Sequence, residues 1–323
     1  MSDRKTMVFT LNLGTLALFV TTLVGTSARN FFSTPARGQD SSFSLEEGRM
    51  MVTYAAASYC SPDVLRNWTC ERCSDSVAGF VPKTVVTDED WDLQAVVGYS
   101  PQLSSALVIF RGTKGSSWEN WIHNLMTTKS QVRHPGMPKD ATVHDGFWRS
   151  WTRSNLQNRT SVALDALFEE RGVLPVVVVG HSLGGALATL CAADLLTERN
   201  LTAVRLYTFG CPRVGNYAFA SAMRNTTLDN TRVTHDRDIV PTVPFTHFGF
   251  HHLAREVWQR TITTGSKKHP PRLNFTMEIT CDGSGEDRRC QDSLCRYLGA
   301  CTSIEDHLEY LGVPLGGGKG HEC

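Results

Sequence analysis

Four consecutive valines, Val176 to Val179, run into Gly180-His181-Ser182-Leu183-Gly184, and that string opens onto an alanine- and leucine-rich run reaching about Arg199. β-Branched residues without alternation make a strand buried on both faces. The run that follows is rich in helix formers. A strand that turns into a helix within five residues needs small side chains at the corner, and G-x-S-x-G supplies them while lifting the serine hydroxyl above the sheet. The string alone decides little, because a chain of this length carries one by chance about one time in ten. Its placement between a buried strand and a helix makes Ser182 a candidate nucleophile.

The surrounding segments fit one kind of architecture. Leu45 to Ser58 reads as a helix with Ser44 as N-cap. Asp92 to Gly98 and Ala106 to Arg111 read as strands joined across Tyr99-Ser-Pro-Gln in a hairpin. A helical stretch ends near Leu125, and a single long helix is expected from Phe147 to about Glu170. Beyond the valine strand and its helix, Ala203 to Gly210 reads as a strand, Tyr217 to Met223 as a helix and Thr231 to His235 as a strand. Alternating strands and helices predict an α/β protein with a mostly parallel central sheet covered on both faces.

The bulk numbers set the compartment and exclude some partners. With 323 residues, 41% hydrophobic and 20% charged, the chain can bury a large core. Thirty-two basic residues balance thirty-two acidic ones, so no long-range field gathers nucleic acid or an anionic membrane. A neutral or apolar substrate fits that balance. Residues 1–28 carry Arg4 and Lys5, an apolar stretch from about Met7 to Val24, and small residues at Thr26 and Ala28, the pattern of a signal peptide. Residues 29–43 read as a leader or propeptide, and residues 44–323 as the folded domain, secreted and without a stable membrane anchor after cleavage.

Ten cysteines agree with export. Cys70 and Cys73 read as disulfide-bonded rather than zinc-binding, because no second ligand pair has suitable spacing. Cys281, Cys290, Cys295 and Cys301 allow three pairings. Cys191 and Cys211 sit in apolar surroundings and read as buried free thiols. Asn67, Asn158, Asn200, Asn225 and Asn274 head Asn-x-Ser/Thr sequons.

A serine hydroxyl is a weak nucleophile until a histidine takes its proton and an acid fixes that histidine. On a G-x-S-x-G fold the chain order is serine, acid, histidine. The acid candidate is Asp238, with Asp236 as the local rival. His247, His251, His252, His269, His307 and His321 all lie beyond it, and spacing does not choose among them.

From about residue 45 to residue 312 the sequence resembles the fungal-type class 3 lipases. The resemblance rests on Gly180-His-Ser-Leu-Gly-Gly-Ala-Leu-Ala, Phe110-Arg-Gly-Thr113, Glu119-Asn-Trp-Ile122, His144-Asp-Gly-Phe147, Phe209-Gly-Cys-Pro-Arg-Val-Gly-Asn216, Asp238-Ile-Val-Pro241 and Asp306-His-Leu-Glu-Tyr310. It implies an α/β-hydrolase fold and a triad of Ser182, Asp238 and His307. An oxyanion hole would use the backbone N–H of Leu183, directly after the nucleophile, and, by the resemblance, Thr113. The same resemblance pairs Cys60 with Cys323, and it makes the pair His251-His252 structural.

In that family the segment after Thr113 acts as a lid. Here Trp118, Trp121, Ile122, Leu125 and Met126 fall on one apolar helical face, with two extra residues near Gly115-Ser116. A mobile apolar lid would suit an acyl-lipid substrate, most simply triacylglycerol, at an oil–water interface. Alternatives are a soluble-ester esterase of the feruloyl type, a phospholipase or galactolipase, or a catalytically silent binding protein. No cofactor and no catalytic metal are expected, and the protein is expected to act as a monomer.

Overall fold

The computed structural model describes residues 43–114, 128–132, 134–266, 269–295 and 300–316. Residues 1–42, with the expected signal peptide and leader, lie outside them. So do the lid candidates Trp118, Trp121, Ile122 and Leu125.

The central sheet has eight strands: β1 (Val81–Asp88), β2 (Leu93–Ser100), β3 (Ser105–Phe110), β4 (Val176–His181), β5 (Val204–Phe209), β6 (Asp229–His235), β7 (Glu256–Ser266) and β8 (His269–Thr280). They lie side by side in chain order. β1–β2–β3 pair antiparallel, β3 to β7 are parallel, and β8 returns antiparallel along β7. This is the mostly parallel sheet of an α/β-hydrolase. The hairpin expected over Asp92 to Arg111 is β2–β3.

Helices cover both faces. α1 (Leu45–Ala57) lies on one; its N-cap Ser44 accepts from the Glu47 N–H. α2 (Pro62–Asn67) follows it. α3 (Asp145–Thr152), α4 (Leu156–Arg171) and α5 (Leu183–Thr197) cover the other face, and α6 (Tyr217–Arg224) follows β5. The valine strand serves both layers: Val176 and Val178 pack with α3, α4 and α5, while Val177 and Val179 pack with α1. All four are fully buried, as a run without alternation requires.

One expectation needs correction. The long helix expected from Phe147 to Glu170 is two helices, α3 and α4, separated at Arg153 to Asn155. Ser154 Oγ accepts the Leu156 N–H at 3.2 Å, and the Asn155 N–H goes to the Asp88 carboxylate at 2.8 Å. A local hydroxyl and a carboxylate from β1 thus compete with the helix for its own donors.

Disulfides close Cys70–Cys73, Cys281–Cys290 and Cys295–Cys301. The last two choose among the three pairings that spacing allowed. Cys60 is also disulfide-bonded, and Cys323 lies outside the described residues. Cys191 and Cys211 are free and buried, as expected. Among the described residues, no helix is long and apolar enough to cross a membrane.

Candidate active site

The site forms at the carboxyl edge of the parallel strands, where open α/β sheets place their ligands. Ser182 is the corner between β4 and α5. Its φ of 57° and ψ of −128° lie in a region that a side-chain-bearing residue rarely adopts. The corner is possible because its neighbours are glycine. A Cβ on Gly180 would fall 2.1 Å from the Gly184 carbonyl oxygen, and one on Gly184 would fall 2.4 Å from that of Phe110. The Ser182 N–H donates to the Phe209 carbonyl at 3.0 Å, which ties the corner to β5.

Asp238 follows β6 and is completely buried. One of its carboxylate oxygens accepts the Val240 N–H at 2.8 Å. The other pairs with His307 Nδ1 at 2.8 Å and accepts the Tyr310 hydroxyl at 2.5 Å. A buried carboxylate is tolerable when charge-assisted hydrogen bonds of this kind satisfy it. Asp236, the local rival, faces elsewhere: it takes the Arg260 guanidinium at 2.8 Å and the Thr261 N–H at 2.9 Å.

His307 lies against the elbow. Its ring centroid is 4.5 Å from that of His181, the residue before Ser182, and its backbone oxygen is 2.9 Å from His181 Nε2. Because a carbonyl can only accept, His181 carries its proton on Nε2. Its Nδ1 then accepts the Tyr59 hydroxyl at 2.7 Å. Burial first, and then the neighbouring His307, hold His181 well below the ordinary histidine range, so it stays neutral.

Thr113 follows β3 across Arg111 and Gly112. Its Oγ1 is buried without a hydrogen-bond partner among the described residues. Gly112 keeps the approach open, since a Cβ there would fall 3.1 Å from the Ser182 Cβ. Leu183 is the first residue of α5, where backbone N–H groups are left for an anion.

Two of the other histidine candidates do other work. His252 Nε2 donates to the Pro241 carbonyl at 2.8 Å, and His251 Nε2 to that of Ser284 at 3.1 Å. Two contributors escaped the sequence reading. Gly210 has φ +55°, and a Cβ there would fall 2.8 Å from His307 Nδ1 and 2.9 Å from Asp238 Oδ2. Tyr310 is the other. Both sit inside motifs recognised above, but nothing in their spacing reveals contacts across the fold.

The family model described as Lipase (class 3) matches residues 107–248. A lipase of Rhizomucor miehei is 35% identical over 270 residues, which are 82% of this chain and 68% of that protein. The chain belongs to the class 3 lipase family. This class 3 lipase is also 31% identical to a lipase of Rhizopus niveus, over 84% of the chain and 64% of that protein. It thus spans about two thirds of the length of these relatives. The solved lipase II of Rhizopus niveus superposes with a TM-score of 0.71 at 30% identity, covering 84% of this chain and 96% of that one. The secreted mono- and diacylglycerol lipase A of Penicillium cyclopium is 31% identical over 85% of this chain and 87% of that protein. The family hydrolyses carboxylic esters.

Proposed function

We propose that this class 3 lipase is a secreted serine esterase that hydrolyses acyl lipids, triacylglycerol first, through Ser182, His307 and Asp238. The observation that carries the reading is the buried Asp238, whose one oxygen is committed to His307 Nδ1 beside the elbow. His307, so oriented, takes the Ser182 proton on Nε2, and the Ser182 oxygen attacks the ester carbonyl. Asp238 stabilises the imidazolium that results. The tetrahedral oxyanion is held by the Leu183 N–H and by Thr113, whose hydroxyl, without a partner among the described residues, suits a donor reserved for developing charge. His307 then protonates the leaving alcohol, and water releases the acid from the acyl-enzyme.

Secretion is supported by the disulfides, which form in oxidising compartments, and by the signal-like residues 1–28. Asn67, Asn158, Asn200 and Asn225 are exposed, as glycan acceptors must be. A second reading, preference for mono- and diacylglycerol, is favoured by the likeness to the Penicillium protein.

The test is hydrolysis of a short-chain triglyceride by the purified mature protein, below and above the substrate's solubility limit, beside Ser182→Ala. A rate that jumps when droplets appear, with a dead variant, supports a lipase with this nucleophile. Saturation on dissolved ester with no jump makes it a soluble-ester esterase. Equal rates for the wild type and Ser182→Ala would overturn the triad.

A further inference from the structure

Next in sequence to Asp238 and His307, three metal-binding side chains converge. His235 ends β6, Asp236 follows it, and Asp306 immediately precedes His307. One donor atom from each lies within 4.8 Å of the others. The triad described above uses none of them.

The histidine is the informative member. Its side chain is 8% exposed. Its Nδ1 faces two backbone carbonyls, those of Glu309 at 2.7 Å and Asp306 at 3.0 Å. Carbonyls accept only, so Nδ1 carries the proton. Its other nitrogen, Nε2, faces the carboxylates, with Asp236 Oδ2 at 3.5 Å, so that a cation taking the place of a proton on Nε2 would meet acidic oxygens directly. Locking one ring nitrogen on a backbone carbonyl while the other faces acidic oxygens is how proteins orient a metal-ligating histidine.

The carboxylates keep capacity for a cation. Asp236 Oδ1 is occupied by Arg260 and the Thr261 N–H, but its Oδ2 is the atom that faces His235. Asp306 Oδ2 accepts the Arg237 N–H at 2.9 Å. Two aspartates against one arginine leave the cluster one charge negative. An imidazole donor beside two carboxylates favours zinc and similar transition metals over calcium, which prefers all-oxygen shells. Zinc–ligand bonds of about 2.1 Å at tetrahedral angles separate donors by about 3.4 Å. His235 Nε2 and Asp236 Oδ2, 3.5 Å apart, already stand at about that separation.

The geometry points to a structural divalent-cation site, of zinc type, made by His235, Asp236 and Asp306. Asp238 lies two residues beyond Asp236, and His307 follows Asp306. The ion therefore fastens the segment carrying the triad acid to the segment carrying the triad base. Those segments are already joined by the Ser303 N–H to the Arg237 carbonyl at 3.1 Å. The cation is not a reactant, and the site does not depend on the proposed substrate.

The experiment is calorimetric titration of chelator-treated, full-length mature protein with zinc chloride, with melting curves at saturating zinc. The wild type, Asp306→Asn and His235→Gln are compared, and X-ray absorption at the zinc edge is recorded on the loaded wild type. One zinc per chain is expected, with a melting point raised by several degrees and at least tenfold weaker binding in both variants. The absorption spectrum should show one imidazole nitrogen and oxygen donors. Absent binding, affinity unchanged in both variants, or a spectrum with several imidazoles would overturn the proposal. The spectrum decides the matter if a variant fails to fold.

Discussion

Tyr310 donates its hydroxyl to the same oxygen of Asp238 that pairs with His307. Burial, followed by the charge of Asp238 and the hydrogen bond to it, holds the tyrosine proton well above the ordinary range. Tyr310 is therefore a fixed donor wherever the protein is folded, and it sets where the carboxylate points.

Replacing Tyr310 with Phe removes one of the donors to a carboxylate with no access to water. A hydrogen bond to a charged group contributes about 1.5–3 kcal/mol, so melting should fall by several degrees. Turnover should fall by about tenfold, with KM little changed, because the effect passes through the orientation of His307. Unchanged turnover in a destabilised variant would reduce Tyr310 to a packing role. Thermal melts and steady-state kinetics on a soluble ester read both.

Gly210→Ala should be worse for chemistry than for folding. The added methyl meets both His307 and Asp238 within 3 Å, and the positive φ adds strain of about 1–2 kcal/mol. Turnover should drop at least a hundredfold. Gly79→Ala is the control: its φ is +83° with nothing within 4 Å of the added Cβ. That variant should lose stability and keep its turnover.

Thr113→Val separates a reserved donor from a structural one. Because Thr113 Oγ1 has no partner among the described residues, an isosteric methyl should leave the melting point unchanged or raise it slightly. Removing an oxyanion donor costs about 10²–10³ in turnover. A loss of stability with normal turnover would remove Thr113 from the oxyanion hole.

His134 supplies a pH signature. Burial works against its charge, but hydrogen bonds and charge from Asp194 and then Glu198 prevail, and its pKa is raised above the ordinary 6.5. Its ring lies 2.9 Å from Asp194 and 2.6 Å from Glu198. A raised folded-state value means that its stabilisation is complete below about pH 6.5 and is lost as pH climbs through the folded value. His134→Gln should therefore lower the melting point more at pH 5.5 than at pH 9. An equal deficit at both would mean that the ring acts only through packing against Trp148.

The sequence disclosed the parts whose signal is local. The valine strand, the glycines at the elbow and the alanine-rich helix are one continuous run, and each residue type there has one physical reading. β1 went unread because Pro82, Lys83 and Thr84 hide its pattern, and only three of its eight residues are buried. β8 begins His269-Pro-Pro, a sequence suited only to an edge strand, which is where it lies. Choosing His307 among six histidines needed the resemblance, and the role of Tyr310 needed a contact spanning 72 residues.

Cys191 and Cys211, the unbridged cysteines among the described residues, give the molecule an internal clock. Burial, the leading cause for both, lifts the Cys191 thiol well above its usual range and Cys211 to about 12. Neither offers a thiolate to a reagent while the chain is folded. A maleimide added to the native enzyme should therefore modify only molecules that have opened, and the rate of labelling should report the opening equilibrium. The same shielding keeps these sulfurs from attacking Cys281–Cys290 or Cys295–Cys301, so bridge scrambling should begin only after unfolding.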